Sequence, residues 1–155
     1  MKQKHLITAI ACFTFFSVYN NCGAQTISTS VIKNEIKKIN TLYFNLFSKN
    51  DQSIVNLYTE DACLLAPNTP PISGRKALKK DFEDTFAAGK VKGVKFQTRN
   101  IYGDGQQYIT EEGSWQVFDP SGKLLDNGQY LKLWKRTKLG WKIFRDSFNS
   151  NHKAS

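Results

Sequence analysis

Histidine is nearly absent from this chain: of 155 residues only His5 and His152 are histidines. His5 falls in an N-terminal segment expected to be removed, and His152 stands three residues from the end. A folded core therefore has no imidazole with which to build a Ser-His-Asp or Cys-His arrangement, or a histidine-based zinc site. Cysteine is as scarce. Cys12 and Cys22 belong to the same removable segment, so Cys63 remains alone and no intrachain disulfide is expected. Inside the apolar run Ala62-Cys63-Leu64-Leu65 it reads as a small buried hydrophobe rather than a reactive thiol. Internal repeats, low-complexity tracts and interdomain linkers are missing. Gly103-Asp104-Gly105 is a turn with no helix after it, so it is no dinucleotide or phosphate loop. With no calcium loop or metal cluster either, no metal and no cofactor are expected.

The segment to be removed has a basic start, Met1-Lys2-Gln3-Lys4-His5, and an apolar run from Leu6 to Val18 that is too short to span a bilayer. Residues 1–24 read as a signal peptide cleaved before Gln25, after the small residues of Cys22-Gly23-Ala24. The expected location is periplasmic or secreted. The alternative is a lipoprotein anchored through Cys22, which Asn20 and Asn21 disfavour. The rest, residues 25–155, has the size of one domain with a single core.

The chain carries +9, and loss of Lys2 and Lys4 leaves 20 basic against 13 acidic residues, a charge of +7. Lysines such as Lys37, Lys79, Lys95, Lys132 and Lys142 are spread over every predicted element. That distribution, without a dense tract or a helix-turn-helix or zinc-finger pattern, describes a solvated surface rather than a nucleic-acid interface.

Ser28-Thr29-Ser30 offers N-caps for a helix whose apolar stripe is Ile32, Ile36, Ile39, Tyr43 and Leu46. Asn50 or Asp51 caps a second, shorter helix carrying Ile54, Leu57 and Tyr58, and Ala62 to Ala66 forms a short strand stopped by Pro67. A third helix starts near Gly74-Arg75, carries Leu78, Phe82 and Phe86, and ends at Gly89. Four strands follow: Val94 to Tyr102, Gln106 to Phe118 with a bulge at Gly113, Lys123 to Arg136, and Trp141 to Phe148. Short turns make them an antiparallel meander, and the amphipathic helices must cover one face of it. The class is α+β.

Leu57-Tyr58-Thr59-Glu60-Asp61-Ala62, Pro67, Gly74-Arg75, Gly128-Gln129-Tyr130, Trp134, Gly140-Trp141-Lys142-Ile143 and Asp146 occur in an order and spacing that resemble the nuclear transport factor 2-like superfamily. Within it, the small bacterial SnoaL-like and ketosteroid-isomerase-like domains are most similar. The resemblance spans roughly Ser30 to Asn149 and implies a cystatin-like cone, a curved antiparallel sheet wrapped around a long N-terminal helix, with a pocket open at one end. It also implies a homodimer through the outer face of the sheet. The enzyme parallel is poor, because the isomerases place an aspartate base immediately before the proline where this chain has Ala66. Tyr43 falls near their first-helix tyrosine, and Gln129 or Tyr130 near their late acid. Loss of the base removes a contribution of about a hundredfold or more.

Asp146 and Asp61 are the remaining candidates for acid or base work. Asp61 also reads as a residue fixing the turn into its strand, and Arg145 and Asp146 alternate so that one of them faces inward. Candidate pocket residues are Tyr43, Phe47, Tyr58, Leu65, Phe82, Trp115, Tyr130, Trp134 and Arg145, with Trp115, Trp134 and Trp141 equally readable as packing. Arg75 is expected to tie its helix to a neighbouring acidic residue. The first expectation for function is binding of a small, largely apolar molecule, with an anionic group as an option that the basic surface favours. The second is a cofactor-independent isomerase, lyase or cyclase using a pocket aspartate. The third is an interaction or dimerisation module.

Overall fold

The computed structural model describes residues 28–152. The expected signal peptide and its cleavage site lie outside the described residues. Helix α1 (Thr29–Ser48) leads, followed by a 3-10 turn (Gln52–Leu57), β1 (Tyr58–Leu65), the two-residue β2 (Ile72–Ser73) and α2 (Arg75–Ala88). The chain ends in β3 (Gly93–Tyr102), β4 (Tyr108–Phe118), β5 (Leu124–Thr137) and β6 (Gly140–Ser150). These strands form one curved, unclosed sheet in the order β2-β1-β6-β5-β4-β3. Among the described residues no helix is long and apolar enough to cross a membrane.

The stripe of α1 buries Ile32, Ile36, Tyr43 and Phe47 against inward residues of the sheet, including Ile109, Trp134 and Ile143. Each fully buried isoleucine of this kind contributes about 1.5–3 kcal/mol. Ile39 and Leu46 pack at the margin, and a polar residue, Asn40, sits buried in the middle of the stripe. α2 covers the same concave side with Leu78, Phe82 and Phe86 and ends as expected at Gly89, whose φ of 61° needs the freedom of glycine. Arg75, at its start, pairs with Glu60 and donates to the Tyr58 carbonyl.

Four expectations are corrected. The sheet is mixed, because β1 pairs parallel with β6 while the β3 to β6 meander is antiparallel. Local alternation carries no record of which distant edge a strand will join, or in which direction. Next, the second helix is a 3-10 turn, capped at Asp51, whose Oδ1 accepts from the Ser53 amide at 2.8 Å. Tyr58 consequently opens β1, a longer strand than Ala62 to Ala66. The bulge, thirdly, is on β3: register shifts between Thr98 and Asn100, while Gly113 stays in register opposite Tyr130. Glycine is needed there because a Cβ would fall 2.6 Å from the Tyr130 hydroxyl. Finally, Cys63 is only half-buried, its Sγ 3.4 Å from the Ser73 hydroxyl.

Candidate functional site

Period-two alternation sends Glu111 of β4, Lys132 of β5 and Asp146 of β6 to the concave face, and the register makes them direct neighbours in one row across three strands. All three are buried, Glu111 and Lys132 at 0% exposure and Asp146 at 4%. Buried charges are rare unless satisfied, so the partners of each decide its role.

Glu111 is fully enclosed by donors. Its Oε1 accepts from the Asn40 amide at 2.7 Å, the Thr98 hydroxyl at 2.6 Å and the Tyr130 hydroxyl at 2.6 Å, and its Oε2 accepts from the Trp134 indole at 3.0 Å. This explains Asn40, whose amide crosses from α1 to anchor the carboxylate. Burial and the adjacent Glu111 charge push the Tyr130 hydroxyl far above its ordinary pKa, so it stays a donor.

Lys132 contrasts with it. Its Nζ has no hydrogen-bond partner among the described residues. Aromatic rings surround it instead, with centres at 3.1 Å for Phe96, 4.9 Å for Tyr130 and 5.4 Å for Tyr43. Burial lowers the Lys132 pKa against the opposing attraction of Asp146 and Glu111. Burial likewise raises the Asp146 pKa, although Lys132 and the Tyr58 hydroxyl pull it down. Both shifts favour neutral forms, so desolvation outweighs the attraction between the pair.

Asp146 opens on a cavity of about 210 Å³ between the sheet and the two helices. Tyr43, Phe47, Phe82, Phe96, Trp115 and Phe148 contribute apolar walls, and Asp81 and Thr85 of α2 add polar atoms at one side. Tyr58 donates to Asp146 Oδ2 at 3.2 Å, and Tyr43 of α1 lines the same cavity. Burial raises the pKa of both phenols, so they are proton donors at neutral pH. Burial also raises the pKa of Asp81.

Of the residues singled out in the sequence, Tyr43, Phe47, Tyr58, Phe82, Trp115 and Asp146 surround this cavity. The others lie elsewhere. Tyr130 and Trp134 point their polar tips at Glu111 and belong to its enclosure. Leu65 is 39% exposed, because its neighbour Leu64 takes the inward position. Arg145 faces away from Asp146, with its guanidinium 3.6 Å from the centre of the Phe144 ring and donating to the Asp61 carbonyl at 3.0 Å. Asp61 is exposed on β1, 4.0 Å from Lys135, rather than in a turn. Its pKa is lowered, the nearby Thr59 hydroxyl favouring the charged form, with Lys135 and Arg145 adding to it. Lys132, read from composition as part of the solvated surface, is buried.

Glu111, Lys132, Phe96 and Asp81 escaped sequence reading. Strand alternation carried forward from Ile109 marks Glu111 as inward, and carried back from Trp134 marks Lys132; both signals lose to the expectation that charged residues face water. Among the described residues no group of three or more His, Cys, Asp or Glu side chains could hold a metal.

Residues 36–118 match the family model of the nuclear transport factor 2 (NTF2) domain. A comparison with curated proteins gives no match. Among solved structures, a domain of unknown function with a cystatin-like fold from Nostoc punctiforme superimposes with a TM-score of 0.68 at 12% identity, covering 81% of each chain. A ketosteroid isomerase-like protein from Erwinia carotovora gives 0.60 at 16% identity, over 77% of this chain and 96% of its own. An NTF2-like superfamily protein from Salmonella enterica gives 0.63 at 16% identity, over 83% and 96%. At such identities the likeness speaks for the fold alone. With the family model covering more than half of its length, the chain belongs to the nuclear transport factor 2 (NTF2) domain family.

Proposed function

We propose that the chain holds a small, largely apolar molecule in the cavity beside Asp146, and that Asp146 and Tyr58 meet a single polar group on it. One observation carries this reading: a buried carboxyl opens on apolar walls while receiving, among the described residues, one hydrogen bond, from Tyr58. A carboxyl has capacity for more partners, and leaving that capacity unused in an apolar site is costly. Size narrows the ligand. At about 210 Å³ the cavity exceeds the roughly 150 Å³ that admits benzene and falls short of the roughly 300 Å³ of drug-sized sites, which suits one substituted ring.

The test is titration of the purified chain with toluene, benzyl alcohol and benzaldehyde, followed by ligand-observed NMR. Benzyl alcohol should bind more tightly than toluene, and Val94→Trp, which fills the cavity, should abolish both. Absence of binding by all three, or binding indifferent to Val94→Trp, overturns the reading.

The Asp146–Tyr58 pair supports a second reading, acid-base turnover of the bound molecule, because burial raises the Asp146 pKa above the ordinary carboxylate value and so favours a carboxyl that can exchange a proton with a bound group. We also place the mature chain outside the cytoplasm, by removal of residues 1–24, and in a homodimer through the outer sheet face, where Leu131 is 53% exposed. N-terminal sequencing of the exported protein and light scattering check these two points; a retained Met1, or a monomer, refutes them.

A further inference from the structure

We propose that Lys132 is a carbonyl-capturing amine: a small apolar aldehyde or ketone entering the cavity condenses with its Nζ to an imine, and Asp146 relays the protons. The inference rests on the cavity reading above and names the ligand class.

An ammonium has three donors to place, yet Nζ of Lys132 is fully buried and has no hydrogen-bond partner among the described residues. Neighbouring acceptors do not resolve this. Glu111 is already occupied by Asn40, Thr98, Tyr130 and Trp134, and Asp146 is turned to the cavity and Tyr58. What faces Nζ is the π surface of Phe96, Tyr130 and Tyr43. An amine desolvated in this way is held toward its neutral, nucleophilic form. The titratable groups around it are Glu111, Asp146 and the phenols of Tyr43, Tyr58 and Tyr130, and none of these adds a second positive charge.

Phe96 and Tyr43 are shared walls, since both line the cavity and both pack on Nζ. Phe96, half-buried, lies against both Nζ and the cavity, so the proposed capture requires its ring to turn aside. A neutral carbonyl suits the site better than an anion, because the walls around Nζ are apolar rings and the amine, held toward its neutral form, offers an anion no counter-charge.

The chemistry balances without an outside reagent. The Nζ lone pair attacks the carbonyl carbon and forms a C–N bond, the π pair moves to oxygen, and oxygen takes the Asp146 proton. Asp146 recovers a proton from nitrogen, leaving a neutral carbinolamine. A second proton passes from Asp146 to the hydroxyl, the C–O bond breaks to release water, and Asp146 takes the remaining amine proton as the C=N bond closes. In net, the carbonyl oxygen leaves as water with two protons, the amine loses two, Asp146 ends protonated as it began, and no group is oxidised or reduced.

The test treats the full chain with benzaldehyde and sodium cyanoborohydride at neutral pH and maps benzylated lysines by peptide mass spectrometry over time. Lys132 should be trapped about tenfold or more faster than the exposed Lys79 and Lys138, because its desolvated amine is held toward the neutral, nucleophilic form. Asp146→Asn should slow trapping at Lys132 by about a hundredfold while leaving Lys79 and Lys138 unchanged. Lys132→Met should remove the fast site without altering binding of toluene. Trapping of Lys132 at or below the rate of the exposed lysines, in protein that binds toluene, overturns the imine while the cavity reading stands. The same result in protein that binds neither toluene nor benzyl alcohol overturns both.

Discussion

Glu111 and Asp146 are two buried carboxyls in one cross-strand row, one on each side of Lys132, yet they are built for opposite ends. Around Glu111 four donors from α1, β3 and β5 converge, so the group ties three elements together and has no capacity left for a visitor. Asp146 has Tyr58 on one side and an apolar cavity on the other. The difference teaches how to separate a saturated carboxyl from one with spare bonding capacity when both are fully buried: burial alone is the same for the two, and the supply of donors is not.

The comparison is broken most severely by Glu111→Leu. Four buried donors would lose their acceptor and Lys132 a neighbouring negative charge, so a loss of about 3–5 kcal/mol is expected in urea unfolding. A loss below that of an ordinary surface substitution would mean that the enclosure is not what holds α1 to β3.

Lys132→Met sharpens it, with the opposite sign. Removing an amine that lacks hydrogen bonds should stabilise the fold by about 1–4 kcal/mol at neutral pH, because Met keeps the volume. The native Lys132 pKa lies below the ordinary 10.5, so between that depressed value and 10.5 the unfolded chain holds the extra proton and wild-type stability rises with pH. The advantage of the variant should therefore be full below the depressed value and vanish by 10.5. An advantage independent of pH would show that packing, not charge, is its origin.

Much of this architecture was legible in the sequence. The 3.6-residue stripe of α1, the Gly89 terminus of α2 and the four long strands follow from local periodicity and turn residues, while alternation puts one of Arg145 and Asp146 inward without saying which. The parallel pairing of β1 with β6 was not, since it joins segments remote in the chain. Lys132 was hidden for a different reason. Composition places lysines at the surface, and only the register that sets it between Glu111 and Asp146 shows what kind of interior receives it. Tyr130 and Trp134 read as cavity residues in the sequence, whereas their polar tips serve Glu111, a residue whose charge alone points to the surface.

A smaller effect, again with a sign fixed by pH, comes from Asp146→Asn. The native Asp146 pKa is raised above its ordinary 3.8, so below 3.8 folded and unfolded chains are both protonated and the variant should gain nothing. As pH rises from 3.8 through the raised native value, the unfolded chain ionises first and the wild type loses stability that the amide keeps. Each unit by which the native pKa exceeds the unfolded one is worth about 1.4 kcal/mol. Urea midpoints measured across this range check it, and parallel curves for the two proteins would show that Asp146 ionises as freely as an exposed carboxyl.

Tyr58→Phe should produce the smallest change and separates the two carboxyls most finely. Its hydroxyl is a donor to Asp146 and has no part in the Glu111 enclosure, so its loss removes about 0.5–1.5 kcal/mol without loosening α1 from β3. The hydroxyl also lowers the Asp146 pKa, so the variant should hold the Asp146 proton to higher pH than the wild type. In linkage terms the decline in stability still begins at 3.8, set by the unfolded chain, but continues further upward before it levels. Adding Asp146→Asn to the same chain should erase that extension, because no titrating group remains for Tyr58 to influence. If the extension survived in the double variant, the responding carboxyl would be Asp81 of the cavity wall, whose pKa burial also raises, and Tyr58 would act through the cavity as a whole rather than through its bond to Asp146.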